Sequence, residues 1–248
     1  SLGKYQYFMG EYSDSFLNYE KSLKLYGPEN QENRLALGLT YGGMASSLHM
    51  IGKYDQAISA AERAMDIYSR ITLPDAYKWY PAVTYYTLGL VYQYKGEYVK
   101  SDEYLIKSKA IYDRALGENH PYSAIVLYAM GDNARLSGDH VRAREYYEKT
   151  KNIYVAAYGE NHPFVGSSYY ALAFEYYNDG EFGKAISHYM RACELYRNAY
   201  GDNHAFVAAS YSGLATVFTA MGEYEKAIEY LKKSRDIDYA VFGEEHVN

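Results

Sequence analysis

Apolar residues recur at helical spacing along the chain, in stretches that each stop at a glycine. From Pro121 to Gly138 they fall at the three- and four-residue intervals of one helix face, and Gly138 is typical of a left-handed residue that ends a helix. The next stretch opens with Asp139, which favours the positive end of a new helix, and it closes on Gly159. The pattern therefore predicts two helices joined by a tight turn.

This helical pair recurs along the whole chain. A first glycine column contains Gly10, Gly52, Gly96, Gly138, Gly180 and Gly222, and a second contains Gly117, Gly159, Gly201 and Gly243. Successive glycines are 42 residues apart, except that Gly52 and Gly96 are 44 apart, where the segment ITLPDAYKWY marks a longer connection. We predict a single domain, 1–248, of six units at approximately 1–30, 31–74, 75–116, 117–158, 159–200 and 201–248, with the first unit truncated.

Columns read through the units separate core positions from surface positions. Small residues lie five and twelve positions past each glycine of the first column, and they allow two helices to approach closely. Sixteen positions past it, five units carry a tyrosine, which accounts for part of the 34 tyrosines in the chain. One amphipathic hairpin cannot bury its apolar face alone, so we expect the hairpins to stack around a continuous core.

These columns resemble a known repeat. A first helix with Leu88-Gly89, Met130-Gly131 or Leu214-Ala215, followed by small residues in the second helix, resembles the tetratricopeptide repeat. The 42-residue period and the connection GENHP, at Gly117–Pro121 and Gly159–Pro163, resemble the subtype found in kinesin light chains. The resemblance implies an all-α fold, a right-handed α-α superhelix of about six helix-turn-helix repeats, which acts as a binding scaffold and not as an enzyme.

The GENHP turns combine a histidine with carboxylates, as metal sites and catalytic sites do. However, His120, His162, His204 and His246 lie one repeat apart. Packed helices are separated by about 8–10 Å, so these histidines cannot share a zinc ion bonded at about 2 Å. We instead expect a turn with a left-handed glycine, Pro121 at the first helical position and His120 as an N-cap that accepts a backbone N–H. We predict no catalytic residue, no metal and no cofactor.

The resemblance places the ligand on the first helices, which line the concave face of the superhelix. The columns ten, six and three positions before each glycine of the first column change chemistry from unit to unit, as a surface that binds a non-repetitive ligand would. The predicted contacts with a protein or peptide are Tyr86, Gln93, Tyr128, Asp132, Arg135, Tyr170, Phe174 and Tyr177. An ordinary solvated face is the alternative interpretation. The paired asparagines of kinesin light chains are replaced here, for example by Tyr128-Ala129.

Charge and cysteine content narrow the class of partner. The net charge of −6 argues against a nucleic-acid or membrane-surface partner. A single cysteine, Cys193, is typical of a reducing compartment, so we expect a cytoplasmic protein. Two other functions stay open: a sensor or autoinhibitory segment of a larger signalling protein, with another domain of that protein as the partner, and a self-associating scaffold.

Overall fold

The computed structural model describes residues 10–243, and this part of the chain is built from α-helices with one short 3₁₀ turn and no strand. The helices are α1 (Tyr12–Tyr26), α2 (Arg34–Met50), α3 (Tyr54–Ser69), α4 (Tyr80–Tyr94), α5 (Tyr98–Leu116), α6 (Pro121–Leu136), α7 (His140–Tyr158), α8 (Pro163–Asn178), α9 (Phe182–Tyr200), α10 (Ala205–Ala220) and α11 (Tyr224–Phe242). The expected first half of the first unit and the last histidine turn, with His246, lie outside the described residues.

The chain divides into two compact units, Ser1–Ser137 and Gly138–Asn248. In the compact unit Ser1–Ser137, α2 packs against α3 and α4 packs against α5. The first helices α2 and α4 also lie against each other. In the compact unit Gly138–Asn248, α8 packs against α9 and α10 packs against α11. Adjacent antiparallel pairs of this kind confirm the predicted α-α solenoid class. That the whole chain forms one domain stays a prediction.

Glycines of the first column end the first helices as predicted. Gly96 has φ +74°, its N–H donates to the Gln93 carbonyl at 2.9 Å, and the Glu97 N–H donates to the Tyr92 carbonyl at 2.9 Å. This pair of bonds is the Schellman motif, which requires a left-handed residue. Gly52, Gly180 and Gly222 form the same pair of bonds.

Glycines of the second column differ from the expectation in ψ. Gly117 has φ +99° and ψ 150°, and Gly159 has φ +85° and ψ 164°. This region of backbone space is accessible almost only to glycine, but it is extended and not left-handed helical. The prediction of a left-handed helical residue is therefore wrong here. The turn after Gly117 is longer than the turn after Gly96, because α6 begins four residues later, at Pro121, whereas α5 begins two residues later, at Tyr98.

The small and aromatic columns form the core. Ala57, Ser101, Ala143 and Ala185, all five positions past a glycine, are fully buried. Tyr68, Tyr112, Tyr154 and Tyr196 are between 4% and 7% exposed, so much of the tyrosine excess is structural, as predicted. In the column twelve positions past the glycine, Ser108 Oγ donates to the Ala82 carbonyl at 2.8 Å and Ser234 Oγ to the Ala208 carbonyl at 3.0 Å. These two hydroxyls bond α5 to α4 and α11 to α10, within the same hairpin in each case.

Polar pairs join neighbouring hairpins within each of the two compact units. Ser46 Oγ bonds to Thr87 Oγ1 at 3.0 Å between α2 and α4, and Asn133 Nδ2 donates to Asp102 Oδ1 at 2.7 Å between α6 and α5. Two positions past each glycine of the first column the sequence has an aromatic ring, Tyr or Phe, except for His140. His140 Nδ1 lies 2.8 Å from Oε2 of the fully buried Glu175 of α8. The exception in the column therefore has a partner in the next hairpin.

The longer connection between α3 and α4 holds the single tryptophan. The connection contains the 3₁₀ turn Asp75–Tyr77, and Trp79 immediately precedes α4. The Trp79 ring lies 4.4 Å from the Tyr80 ring and 5.8 Å from the Tyr122 ring, measured between centroids. Trp79 therefore packs locally against the start of two first helices.

Candidate functional site

The predicted contact residues lie on three first helices. Tyr86 and Gln93 belong to α4, Tyr128, Asp132 and Arg135 to α6, and Tyr170, Phe174 and Tyr177 to α8. All of them are partly exposed except Gln93, which is 9% exposed. The first two helices belong to one compact unit and α8 to the other. A single groove that runs through all three helices stays a prediction.

The aromatic residues of α8 are held in place by buried neighbours. The Tyr170 ring meets the buried Tyr189 ring edge-on, with centroids 5.3 Å apart and an interplanar angle of 73°. Tyr189 in turn lies against Gly213 of α10, where even a Cβ atom would come within 2.5 Å of its ring. Phe174, Tyr177 and Phe182 continue the contact, with centroid distances of 6.5 Å and 6.1 Å. Each of these partly exposed rings therefore lies near another aromatic ring.

The face of α4 and α6 is more polar. Arg135 Nη2 lies 3.5 Å from Asp132 Oδ1, one turn away on α6, and both side chains are 30% exposed. Gln93 Nε2 donates to the Ala129 carbonyl of α6 at 3.2 Å. Gln93 therefore links two first helices below the surface, and the exposed polar groups at this place are those of Asp132 and Arg135.

His49 lies on α2, at the position of its unit that corresponds to Gln93. It is 8% exposed and lies between Tyr54 and Tyr94, with ring centroids at 6.1 Å and 5.3 Å. Burial lowers the pKa of His49 because the charged imidazolium loses its hydration. Tyr94, the last residue of α4, is 67% exposed and lies against the buried His49 ring.

The histidine turns are N-caps, as predicted. His120 has φ −76° and ψ 142°, and its Nδ1 accepts the Tyr122 N–H at 3.1 Å, with Pro121 as the first helical residue. His162 and His204 accept the N–H of Phe164 and Phe206 in the same way, each at 3.2 Å. Each Nδ1 that accepts a backbone proton carries none itself. Among residues 10–243, no three His, Cys, Asp or Glu side chains are grouped to hold a metal ion.

One group of residues was not identified from the sequence as a candidate site. Eleven positions past each glycine of the first column, all six units carry a cation: Lys21, Arg63, Lys107, Lys149, Arg191 and Lys233. The 42-residue period was sufficient to find this column. In the structure several of these cations lie over tyrosine rings of their own hairpin.

The geometry defines a class of protein, the helical-hairpin repeat proteins, in which exposed side chains are presented by first helices. The model of the tetratricopeptide repeat matches residues 80–154, 134–198 and 172–240. The chain belongs to the tetratricopeptide-repeat family. Its fold is similar to that of kinesin-light-chain-like repeat proteins of known structure. No curated protein matches the chain.

Solved structures share this fold at low sequence identity. BtubC (BKLC) from P. vanneervenii is 19% identical with a TM-score of 0.73, over 98% of this chain and 93% of that one. A putative kinesin light chain of Podospora anserina with nearly identical TPR-like repeats is 20% identical with a TM-score of 0.68, over 85% and 98%. The APC/C hetero-tetramer Cut9–Hcn1 is 20% identical with a TM-score of 0.71, over 97% of this chain and 40% of that one. At these identities the similarity concerns the fold.

Between residues 10 and 243, no helix combines the length and the apolar character that a transmembrane crossing requires.

Proposed function

We propose that this chain is a non-enzymatic scaffold that binds a protein or peptide on the face formed by its first helices. The observation that carries the proposal is the set of aromatic contacts of Tyr170, Phe174 and Tyr177, all three of which stay partly exposed. Rigid aromatic side chains lose little conformational freedom on binding, and they dominate many interfaces. Tetratricopeptide proteins in general bind other proteins, and Cut9–Hcn1 is itself a hetero-tetramer.

The ligand contacts follow from the exposure of the predicted residues. Tyr86, Tyr128 and Tyr170 hold the same position in three successive units and would bind apolar side chains and backbone groups of the ligand. Asp132 and Arg135 would select for polar groups, while Gln93 fixes the helices below them. The net charge of −6 disfavours nucleic acid as the ligand. We place this function in the cytoplasm because the single cysteine suits a reducing compartment.

Affinity capture tests the proposal. The intact chain and a Tyr86→Ala/Tyr128→Ala/Tyr170→Ala variant are immobilised and exposed to extract from the native host. We expect the variant to lose its captured partner, since aromatic anchors of this kind are worth about 2 kcal/mol or more each. The control, Tyr158→Ala/Tyr200→Ala/Tyr239→Ala, removes three tyrosines of the second helices that are 44%, 42% and 43% exposed. Equal capture by both variants, each folded by circular dichroism, would reject the proposal.

A self-associating scaffold is the second candidate, and the outer face of α11 favours it. Leu231 is 51% exposed, whereas Tyr189, the residue at the same position of the preceding unit, is 3% exposed. Tyr224 and Ile228, on the same face of α11, are 62% and 52% exposed. Contact with a second copy would bury this apolar stripe.

Light scattering at increasing protein concentration tests self-association. We expect the apparent mass to rise with concentration, and Leu231→Glu to keep the chain monomeric. The same substitution at Val99, which is 77% exposed on α5, is the control. A mass that does not depend on concentration would remove this candidate.

A further inference from the structure

One face of α11 carries a row of exposed side chains. The row consists of Tyr224, Ile228, Leu231 and Arg235, at successive intervals of four, three and four residues. All four side chains are more than half exposed. Residues three and four apart lie on the same face of a helix. A row with this spacing is the kind of seam along which two helices pack side by side.

The equivalent row of the preceding hairpin is covered by a helix. It lies 42 positions earlier, on α9, and consists of Phe182, Ile186, Tyr189 and Cys193. Phe182 and Ile186 pack on the apolar cluster that contains Tyr189 together with Val217 of α10. Tyr189 and Cys193 are 3% and 6% exposed. The row on α11 therefore occupies the place at which this fold packs one helix on another.

The row on α11 is not suited to a further hairpin of the same kind. Arg235 stands where α9 has Cys193, and Asp238 stands where α9 has Tyr196. Cys193 and Tyr196 are buried in a cluster with Val207 of α10. A helix packed on α11 as α10 packs on α9 would bury both charges, which is strongly unfavourable unless each gains a partner. The occupant must therefore offer Arg235 a partner or leave it in contact with water.

We propose that this row binds the same row of a second copy, so that two α11 helices pack antiparallel about a two-fold axis between Ile228 and Leu231. The proposal rests on self-association, the second candidate function. In this register Ile228 of one copy faces Leu231 of the other, and Tyr224 faces Arg235. The axis repeats each contact, so the two apolar pairs lie at the centre and one pair of Tyr224 and Arg235 lies at each end.

Tyr224 and Arg235 are complementary in this register. Nε and Nη2 of Arg235 both donate to Oδ1 of Asp236, at 3.1 Å and 2.7 Å. Such bonds lie in the plane of the guanidinium and leave its flat face for an aromatic ring. The ring electrons of Tyr224 attract a cation, and this ring is exposed. At the end of the helix pair the charge of Arg235 also stays in contact with water.

Charge selects the antiparallel orientation. In a parallel pair that used the same row, Arg235 would face Arg235 of the second copy, and Tyr224 would face Tyr224. The two like charges would repel, and each cation would lose its ring. The antiparallel pair is also closed, because both copies use the same surface, so association ends at a dimer.

The length of the row sets the strength of the contact. From Tyr224 to Arg235 the helix rises about 16 Å, at about 1.5 Å per residue. One helix pair of this length buries less than the roughly 1,200 Å² at which stable interfaces begin. We therefore expect a reversible dimer whose population rises with protein concentration.

Two substitutions at one residue test the register by sedimentation equilibrium of the intact chain. Tyr224→Glu places a carboxylate opposite Arg235 of the second copy and should keep the dissociation constant within about threefold of the parent's. Tyr224→Lys places an ammonium there and should weaken the dimer about tenfold or more. Both variants lose the same exposed ring at the start of α11, and circular dichroism checks that both are folded. Equal dissociation constants of the two variants would overturn the proposal.

Cysteine crosslinking locates the facing residues. Tyr224→Cys and Arg235→Cys are each made together with Cys193→Ser, which removes the only cysteine, and are treated with a short bismaleimide. We expect a covalent dimer from the mixture of the two variants and little from either alone, because identical residues lie about 16 Å apart along the helix pair. Val99→Cys, at an exposed position of α5, replaces Tyr224→Cys in the control mixture. Covalent dimers from each variant alone, or an equal yield from the control mixture, would overturn the register.

The outcomes separate this register from self-association itself. A dimer that forms equally in the parent, in Leu231→Glu and in both Tyr224 variants would mean that the contact lies on another surface. That result would overturn this proposal and leave the second candidate function intact. A parent chain whose mass does not depend on concentration would remove both. Neither result changes the capture of a partner on the first-helix face.

Discussion

At the residue scale, the two glycine columns show what a sequence pattern determines and what it leaves open. A glycine at Gly96 and at Gly117 indicates a positive φ at both, and both have one. The value of ψ differs because it depends on the path to the next helix, and that path is set by tertiary packing. The histidine caps were predictable because Pro121 fixes the extended conformation of the preceding residue. The stacking of His162 on Tyr158, with ring centroids 4.5 Å apart, depends on the path of the turn between them and was not predictable.

The cap at His120 gives a test of a single hydrogen bond. His120→Asn should keep the free energy of unfolding within about 0.5 kcal/mol, because an Asn side chain also accepts from the first turn of the helix. His120→Ala should lower it by about 1 kcal/mol, since the Tyr122 N–H loses its acceptor. Urea unfolding followed by circular dichroism measures both. Equal stability of the alanine variant would show that the cap contributes nothing, and partner binding should be unchanged in both.

Burial of His49 makes the stability of the fold dependent on pH. Because burial lowers the pKa of His49 below 6.5, the unfolded state binds the proton more readily than the folded state. The contribution of the buried, neutral His49 to the free energy of unfolding is therefore complete above the pKa of histidine in the unfolded state. It is lost as the pH falls below that pKa. Gln93 occupies the position of His49 in the next repeat, so glutamine fits this site. His49→Gln should therefore reduce the stability that is lost when the pH falls from about 7.5 to about 5.5. An identical loss in the variant and the parent would contradict this assignment.

At the scale of helices, the contact between α7 and α8 differs from the equivalent contact between α9 and α10. His140 and the buried Glu175 hold the positions that Phe182 and Val217 hold one unit later. Phe182 packs on the apolar cluster that contains Val217. The exception at His140 was visible in the aromatic column, but its partner was not, because the sequence does not show which residue of the next hairpin lies opposite. Such pairs specify which hairpins fit together.

A double-mutant cycle tests this pairing. His140→Phe alone should lower the free energy of unfolding by about 3 kcal/mol, because it removes the histidine partner of a buried carboxylate. Adding Glu175→Val should restore most of that loss, since the double variant copies the apolar pair Phe182 and Val217. Thermal and urea unfolding of the single and double variants give the coupling. Additive losses would mean that the two residues do not act as a pair.

At the scale of the whole molecule, the 42-residue period was enough to predict the helices and their pairing. The units repeat the same solution: small residues at the helix contacts, tyrosines such as Tyr154 in the core, and positive-φ glycines such as Gly138 and Gly159 in the turns. The ligand could not be predicted, because the residues in the first-helix columns change from unit to unit and follow no repeated pattern. The lysine–tyrosine arrangement at Lys107 and Lys233 was missed because its column is basic in every unit and resembles an ordinary solvated face.

The central claim, that the first-helix face holds a protein ligand, is tested most directly by site-specific photocrosslinking. The photoreactive residue p-benzoylphenylalanine replaces Tyr128 or Tyr170, which are partly exposed on α6 and α8, in the native host. Tyr239, which is 43% exposed on α11, is the control position. We predict one common protein adduct from Tyr128 and Tyr170 and none of it from Tyr239. The absence of an adduct at both tyrosines, or the same adduct in equal yield at Tyr239, would contradict the account.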